Sequence, residues 1–395
     1  MKEIQAIVEA FDGVERQYEN AALATVVNVK GSTYRSSGAR MLITQSGRMV
    51  GTISGGCLEG DVKERAGQVM LSGEPTVVKY DTTSEDDIVW GLGLGCNGVV
   101  QVLIERLDPQ SKLSPIAFLV ECFRSRQPGV LVTVFDVEGQ TQVKVGDRLM
   151  LHPDNTVTSE IEDSDLTPTA IADAFTALRD GRSNVKTYQL SAGSVGVFIE
   201  VIQPPTPLMI FGAGHDAMPV VRFAKELGWH VTVIDSRAAY ATKEQFPLAD
   251  KVILTRPEAA HNCVTIDHCT VAVVMTHNYL HDRELLKTLL PSPLRYLGIL
   301  GPKSRTERLL QELREEGIIP TYEQLCRLYS PIGIDIGADT PEEIALAIVA
   351  EIRAVVANRS GGFLRDRKGP IHNRINPENT NYAGSNQLSE IACPN

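Results

Sequence analysis

Two rhythms of apolar and polar positions divide this chain. In the first half, short β-branched or alternating runs lie between glycine-rich turns, at residues 26–29, 40–44, 49–53, 76–79, 99–104, 130–135 and 197–202. A period of two is the signature of strands. Helical spacing interrupts them at residues 58–72 and 170–179, and the opening MKEIQAIVEAFDGVERQ reads as an amphipathic helix. In the second half, strand-like runs at 208–211, 230–234, 251–254, 270–275 and 296–300 alternate with helical patterns, the order of a parallel sheet with covering helices.

The change of rhythm coincides with Pro204-Pro205-Thr206-Pro207, which can continue neither a helix nor a central strand. The expected organisation is α/β overall, with an N-terminal α+β domain at 1–203 and a C-terminal Rossmann-like, doubly wound parallel-sheet domain at 208–358. A tail at 359–395 lacks periodicity. A capping box at Thr340, with Pro341 at the first helical position and Glu343 at the third, opens the last helix. No internal repeat is legible.

At 395 residues with 43% hydrophobic residues, the chain has material for two cores. Its net charge of −11 and lack of Lys/Arg runs exclude a nucleic-acid binder. No run reaches membrane-spanning length, and the N-terminus lacks a signal-peptide pattern, so a cytoplasmic location without membrane partners is expected. Seven cysteines without CxxC pairs read as reduced thiols.

Directly after residues 208–211 comes Gly212-Ala213-Gly214-His215-Asp216-Ala217, the G-x-G-x-x-A form opening a helix. Gly212 would make the tight turn, Gly214 would admit a pyrophosphate, and the helix N-terminus would offer its N–H groups. The next strand ends in Asp235, where a carboxylate would hold a ribose diol, while Arg237 would suit a 2′-phosphate, so both NAD and NADP fit. His277 and His281 stand four apart at a later strand end; on a helix they would share a face, but no third metal ligand lies nearby. His277 is the better site-lining donor. His261, Cys263, His268 and Cys269 cluster without a recognised ligand spacing. The glycine-rich stretch from Pro331 to Asp339 is expected to shape the pocket beside the sheet.

In the first half, Gly55-Gly56-Cys57 precedes a helix, whose N-terminus would favour the Cys57 thiolate and whose glycine amides would be open to an anion. A second loop, from Gly91 to Gly98, presents Cys96 beside Gly95. Two thiolates would suit a soft or high-valent metal. Both could equally be small core residues. Arg35 and Arg40, in a third loop, offer guanidinium groups for a phosphate.

Together GSTYRSSGARML, GTISGGCLEGDV, GLGLGCNG, MIFGAGHDA, VIDSR, VVMTHNYLHD, LGILGPKSR and PIGIDIGADTPEEIALAIVAEI resemble the XdhC/CoxI family of molybdenum-enzyme accessory proteins. The resemblance implies a factor that binds the molybdenum cofactor (molybdopterin), assists its sulfuration and inserts it into an apo molybdenum hydroxylase of the xanthine dehydrogenase type. It implies Cys57 and Cys96 as cofactor contacts; from their own chemistry, Gly55, Gly56, Gly95, Arg35 and Arg40 are expected to join them. Gly212, Gly214, His215, Asp235, Arg237 and His277 would serve a nucleotide. A cysteine desulfurase partner and a homodimer are further expectations. The residues also leave open an NAD(P)-dependent oxidoreductase using His277 as acid/base, and a nucleotide-sensing module without chemistry.

Overall fold

The computed structural model describes residues 2–17, 19–81, 98–108 and 110–368. They form two compact units, divided between Pro204 and Pro205 inside the proline cluster.

The first unit contains two five-stranded antiparallel sheets. In the first sheet, β1 (Ala21–Gly31) lies between β2 (Arg40–Thr44) and β5 (Gly98–Arg106), flanked by β3 (Met49–Gly51) and β4 (Thr76–Asp81), in the order β3-β2-β1-β5-β4. α1 (Lys2–Gln17) precedes β1, and α2 (Glu59–Ser72) joins β3 to β4. The second series runs α3 (Pro115–Ser125), β6 (Gly129–Gly139), β7 (Arg148–Leu151), β8 (Val157–Ser159), α4 (Leu166–Asp180), β9 (Asn184–Leu190) and β10 (Gly193–Ile202). Its sheet order is β8-β7-β6-β10-β9. Element for element, the second sheet is the first one again.

This corrects the expectation of no repeat. Adding 108 to each residue number carries Ala21–Gly31 onto Gly129–Gly139. The same step carries the left-handed glycines Gly31, Gly38 and Gly73 onto Gly139, Gly146 and Gly181, all with positive φ. Past the β4–β5 connection the step becomes 95, so Leu103 and Glu105 fall onto Phe198 and Glu200. Even the bulge repeats, since the ladder skips Val27 in β1 and Phe135 in β6. The first copy is therefore 13 residues longer between its last two strands (108 minus 95).

Each sheet buries one face under its own helix. α2 packs Val62, Ala66 and Val69 against Ala22, Ala24 and Met41, while α4 packs Ala170, Ala174 and Ala177 against Val130, Val132 and Leu149. The opposite faces meet each other through Val27, Leu103, Phe135 and Phe198, a set that the repeat maps onto itself. Two ion pairs cross between the copies. Arg40 of the first holds Glu200 of the second, with side chains 1% and 10% exposed, and Arg148 of the second holds Glu105 of the first. In both, the arginine Nε is buried without a partner among the described residues.

The second unit is a six-stranded sheet, parallel throughout. Its strands are β11 (Pro207–Phe211), β12 (His230–Asp235), β13 (Lys251–Leu254), β14 (Val271–Val274), β15 (Tyr296–Ile299) and β16 (Leu328–Tyr329), in the order β13-β12-β11-β14-β15-β16. α5 (Ala217–Glu226), α6 (Ala260–Cys263), α7 (Tyr279–Leu289), α8 (Lys303–Glu315), α9 (Tyr322–Cys326) and α10 (Pro341–Val356) connect and follow them. α5 and α10 cover one face of the sheet, α7 and α8 the other, so its central strands are apolar on both sides. This is the doubly wound Rossmann arrangement, and the chain reverses direction across the sheet at β11. The Thr340 capping box forms as expected, with Glu343 accepting from the Thr340 amide at 3.0 Å.

Candidate functional site

The reversal at β11 opens a crevice of about 240 Å³ at the carboxyl ends of the strands. Gly212, Asp235, Arg237, Thr255, His277 and His281 are among the residues lining it. Gly212 has φ of 121°, and a Cβ there would lie 2.3 Å from the Met275 carbonyl oxygen, so only glycine fits the turn between β11 and α5. Gly214 has less room than its motif suggests. A Cβ on it would meet the Asp216 carboxylate at 2.4 Å, which places that carboxylate beside the glycine loop.

His277 pairs with that carboxylate, Nε2 to Oδ2 at 2.7 Å, from a left-handed backbone with φ of 56°. A histidine held there costs about 1 kcal/mol or more, a strain characteristic of functional positions. The expected shared helical face with His281 does not form, because His277 lies before Asn278, whose side chain caps α7 by accepting from the amides of Leu280 and His281. His215 sits in the turn before α5. The VVMTHNYLHD and LGILGPKSR segments meet at Asp282, which is buried, accepts from Arg305 at 2.6 Å and also takes the Thr276 hydroxyl. Together they anchor the loop that carries His277.

Asp235 is not an open acceptor. Its Oδ1 takes the Arg237 amide and Nε at 2.8 and 3.0 Å, and its Oδ2 takes the Ala213 amide and Arg237 Nη2, both at 2.7 Å. Burial pushes this carboxyl up, but the Arg237 side chain and the two amides outweigh it and hold it below the ordinary aspartate value. The stretch 331–339 does not line this crevice, contrary to expectation; the Gly333 amide instead donates to Glu351, which also accepts from buried Tyr296.

In the first unit, α2 begins at Glu59, so Cys57 lies in the turn before the helix and is partly exposed. Of the glycine amides expected to be open, that of Gly56 is taken. Glu59 accepts from the amides of Ile53, Ser54 and Leu58 and from the Ser54 hydroxyl, while Gly56 donates to Ser54 Oγ at 3.2 Å. Burial raises the Glu59 carboxyl, yet the Ser54 bonds prevail and hold it low. The helix terminus thus already carries its own anion. The Cys57 thiol donates to Ser54 Oγ at 3.5 Å, and the exposed Tyr34 ring covers Gly55.

Arg40 cannot serve as the expected phosphate ligand, because its guanidinium is buried and bidentate on Glu200. Arg35, partly exposed, is held by Glu3 and by the Thr52 hydroxyl. Gly95 and Cys96 lie outside the described residues, so the proposed sulfur pair stands on Cys57 alone. Among the described residues no group of three or more His, Cys, Asp or Glu could hold a metal ion, and no helix is long and apolar enough to cross a membrane. Cys263 is exposed and Cys269 partly so.

The repeat separates scaffold from additions, a distinction that motif reading does not reach. Gly31, Gly38, Arg40 and Gly73 recur as Gly139, Gly146, Arg148 and Gly181 with unchanged spacing, a trace of it in the residues themselves. Cys57 does not recur: its equivalent is Asp165.

The family model for the XdhC Rossmann domain matches residues 208–352, and that for the XdhC and CoxI family matches residues 14–81 and 122–189, stretches of equal length. A Bacillus subtilis protein, named as one of the probable subunits of xanthine dehydrogenase, is 35% identical over 86% of this chain and 94% of its own. The chain belongs to the XdhC and CoxI family. The two matched stretches fall one in each copy of the repeat, so the family's N-terminal region occurs twice in this member. A Bacillus halodurans crystal structure described as a xanthine dehydrogenase aligns with a TM-score of 0.73 at 32% identity, covering 91% of this chain and 97% of that one. The Escherichia coli molybdenum cofactor insertion chaperone PaoD is 23% identical over 85% of this chain and 84% of its own.

Proposed function

We propose that this protein is an accessory factor that binds the molybdenum cofactor, assists its sulfuration with sulfur from a cysteine desulfurase, and hands it to an apo molybdenum hydroxylase of the xanthine dehydrogenase type. The observation that carries this reading is the asymmetry of the repeat. Two copies share their strands, bulge, glycines and ion pairs, yet only the first has Gly55-Gly56-Cys57 and 13 extra residues before β5. A fold does not require what its twin lacks. The additions therefore serve a ligand, and a partly exposed thiol beside glycines suits a soft metal or its dithiolene sulfurs. The names of the relatives support the same cargo and client.

The Rossmann unit is proposed to bind a nucleotide in the crevice at β11. Gly212 makes the turn required there, and α5 begins beside it. The test is incubation of the full chain with isolated molybdenum cofactor, gel filtration, and measurement of retained pterin fluorescence. Retention that falls at least about tenfold in Cys57→Ala, equivalent to a lost contact worth roughly 1.4 kcal/mol, supports the proposal. Absence of retained pterin in the unmodified protein refutes it.

A further inference from the structure

The crevice carries a selectivity device at Asp235. In a Rossmann sheet the acidic residue ending the second strand accepts the ribose diol, and it needs free carboxylate oxygens to do so. Here both oxygens are filled, by two amides and two side-chain N–H groups. A diol could enter only by displacing a bidentate, charge-assisted arginine pair, among the stronger polar contacts in proteins.

Arg237 is therefore the group that a ligand meets. It is 44% exposed, where Asp235 is 5%, and its guanidinium lies over the Tyr240 ring at 4.3 Å. Two of its donors are fixed on Asp235, which sets the plane of the fork. A guanidinium has five N–H groups, so among the described residues three remain for an anion. Arg256 follows the end of the neighbouring strand, β13. Asp235 and Leu254 are register partners, and Arg237 and Arg256 each lie two residues beyond them, Arg256 exposed. At this corner of the crevice Arg237 thus presents a cationic group outward, while the Asp235 carboxylate is kept buried and neutralised.

We propose that the Rossmann unit selects a nucleotide whose adenosine ribose carries a 2′-phosphate, with Arg237 as the specificity-determining residue and Asp235 as the residue that positions it. The proposal rests on the reading that the crevice binds a nucleotide. In it the phosphate bonds the free edge of Arg237, the Tyr240 ring supports the guanidinium, and Asp235 never touches the ligand.

The probes are 2′,5′-ADP and 5′-AMP, titrated calorimetrically into the full chain at low salt, with NADPH and NADH as full-length counterparts. A phosphate held by a positioned guanidinium should make 2′,5′-ADP bind at least about tenfold more tightly than 5′-AMP. Arg237→Ala should reduce that ratio to below about threefold. Arg237→Lys should keep part of the preference. Equal binding of the two probes, or tighter 5′-AMP and NADH, overturns the selectivity while leaving nucleotide binding intact. If none of the four compounds binds at millimolar concentration, the nucleotide reading itself falls, and the selectivity with it.

Discussion

The crossed ion pairs invite a quantitative test, because the repeat demands that they behave alike. Replacing Arg40 with Met keeps most of the stem that packs in the core but strands the Glu200 carboxylate, whose side chain is 10% exposed. Removing one partner of a buried pair costs about 3 to 5 kcal/mol, chiefly the penalty for the charge left behind. For a unit of this size, each kcal/mol lowers the melting temperature by roughly 2 to 4 °C, so a loss of about 6 to 20 °C is expected. Differential scanning calorimetry of the full chain should show it in the transition of residues 3–204, with the Rossmann transition as the internal reference. The double variant Arg40→Met with Glu200→Leu should return to within about 2 kcal/mol of the parent, because no buried charge is left uncompensated. Arg148→Met, acting on a pair 7% and 12% exposed, should cost the same within about 1 kcal/mol. The two losses should not add, since Glu105 also acts electrostatically on Arg40. A cost below about 1 kcal/mol for Arg40→Met, or a double variant as unstable as the sum of its singles, refutes the argument.

Further outcomes follow from single positions. Gly212→Ala forces a Cβ against the Met275 carbonyl at an unfavourable φ, and should destabilise the Rossmann unit by about 2 to 5 kcal/mol in urea titration. Burial pushes the Cys122 thiol up to about 12, so iodoacetamide at pH 8 should label exposed Cys263 in the folded protein and spare Cys122 until denaturant is added, as peptide mass mapping would report. Asp235 has a folded pKa below its unfolded value, so its stabilising contribution is present above the unfolded value and lost as pH falls through the folded one. Below about pH 4 the Rossmann melting temperature should therefore drop more steeply in the parent than in Asp235→Asn.

The Rossmann half was legible because its determinants are local. Strand, Gly212, helix and Asp235 follow one another within a few dozen residues, and a buried parallel strand such as Val271–Val274 announces itself as a continuous apolar run. The first half hid its plan. Its two copies share few side chains, because most core positions ask only for apolar volume: Ala24 becomes Val132 and Val62 becomes Ala170. What persists is stereochemical, as in Gly38 and Gly146, or electrostatic across long sequence separation, as in Arg40 with Glu200. α3 escapes the periodicity reading despite a recognisable start, since Ser114 caps it and Pro115 follows. Local motifs mark the glycine-rich loops but not their internal bonding. Nothing in GGCLE reveals that Glu59 folds back onto the amides ahead of it, and nothing in VIDSR reveals that Arg237 closes on Asp235.

Joining the two copies in one polypeptide has a consequence for stoichiometry. In an assembly of identical chains, every loop lengthened for cargo appears on each protomer, and its bulk must be tolerated at every equivalent position. Covalent fusion removes that coupling. One half of this protein was free to carry a thiol-bearing bend and a longer connection, while its counterpart kept a two-residue turn between β9 and β10. The GGCLE loop thereby occurs once per polypeptide, whatever higher assembly the protein forms.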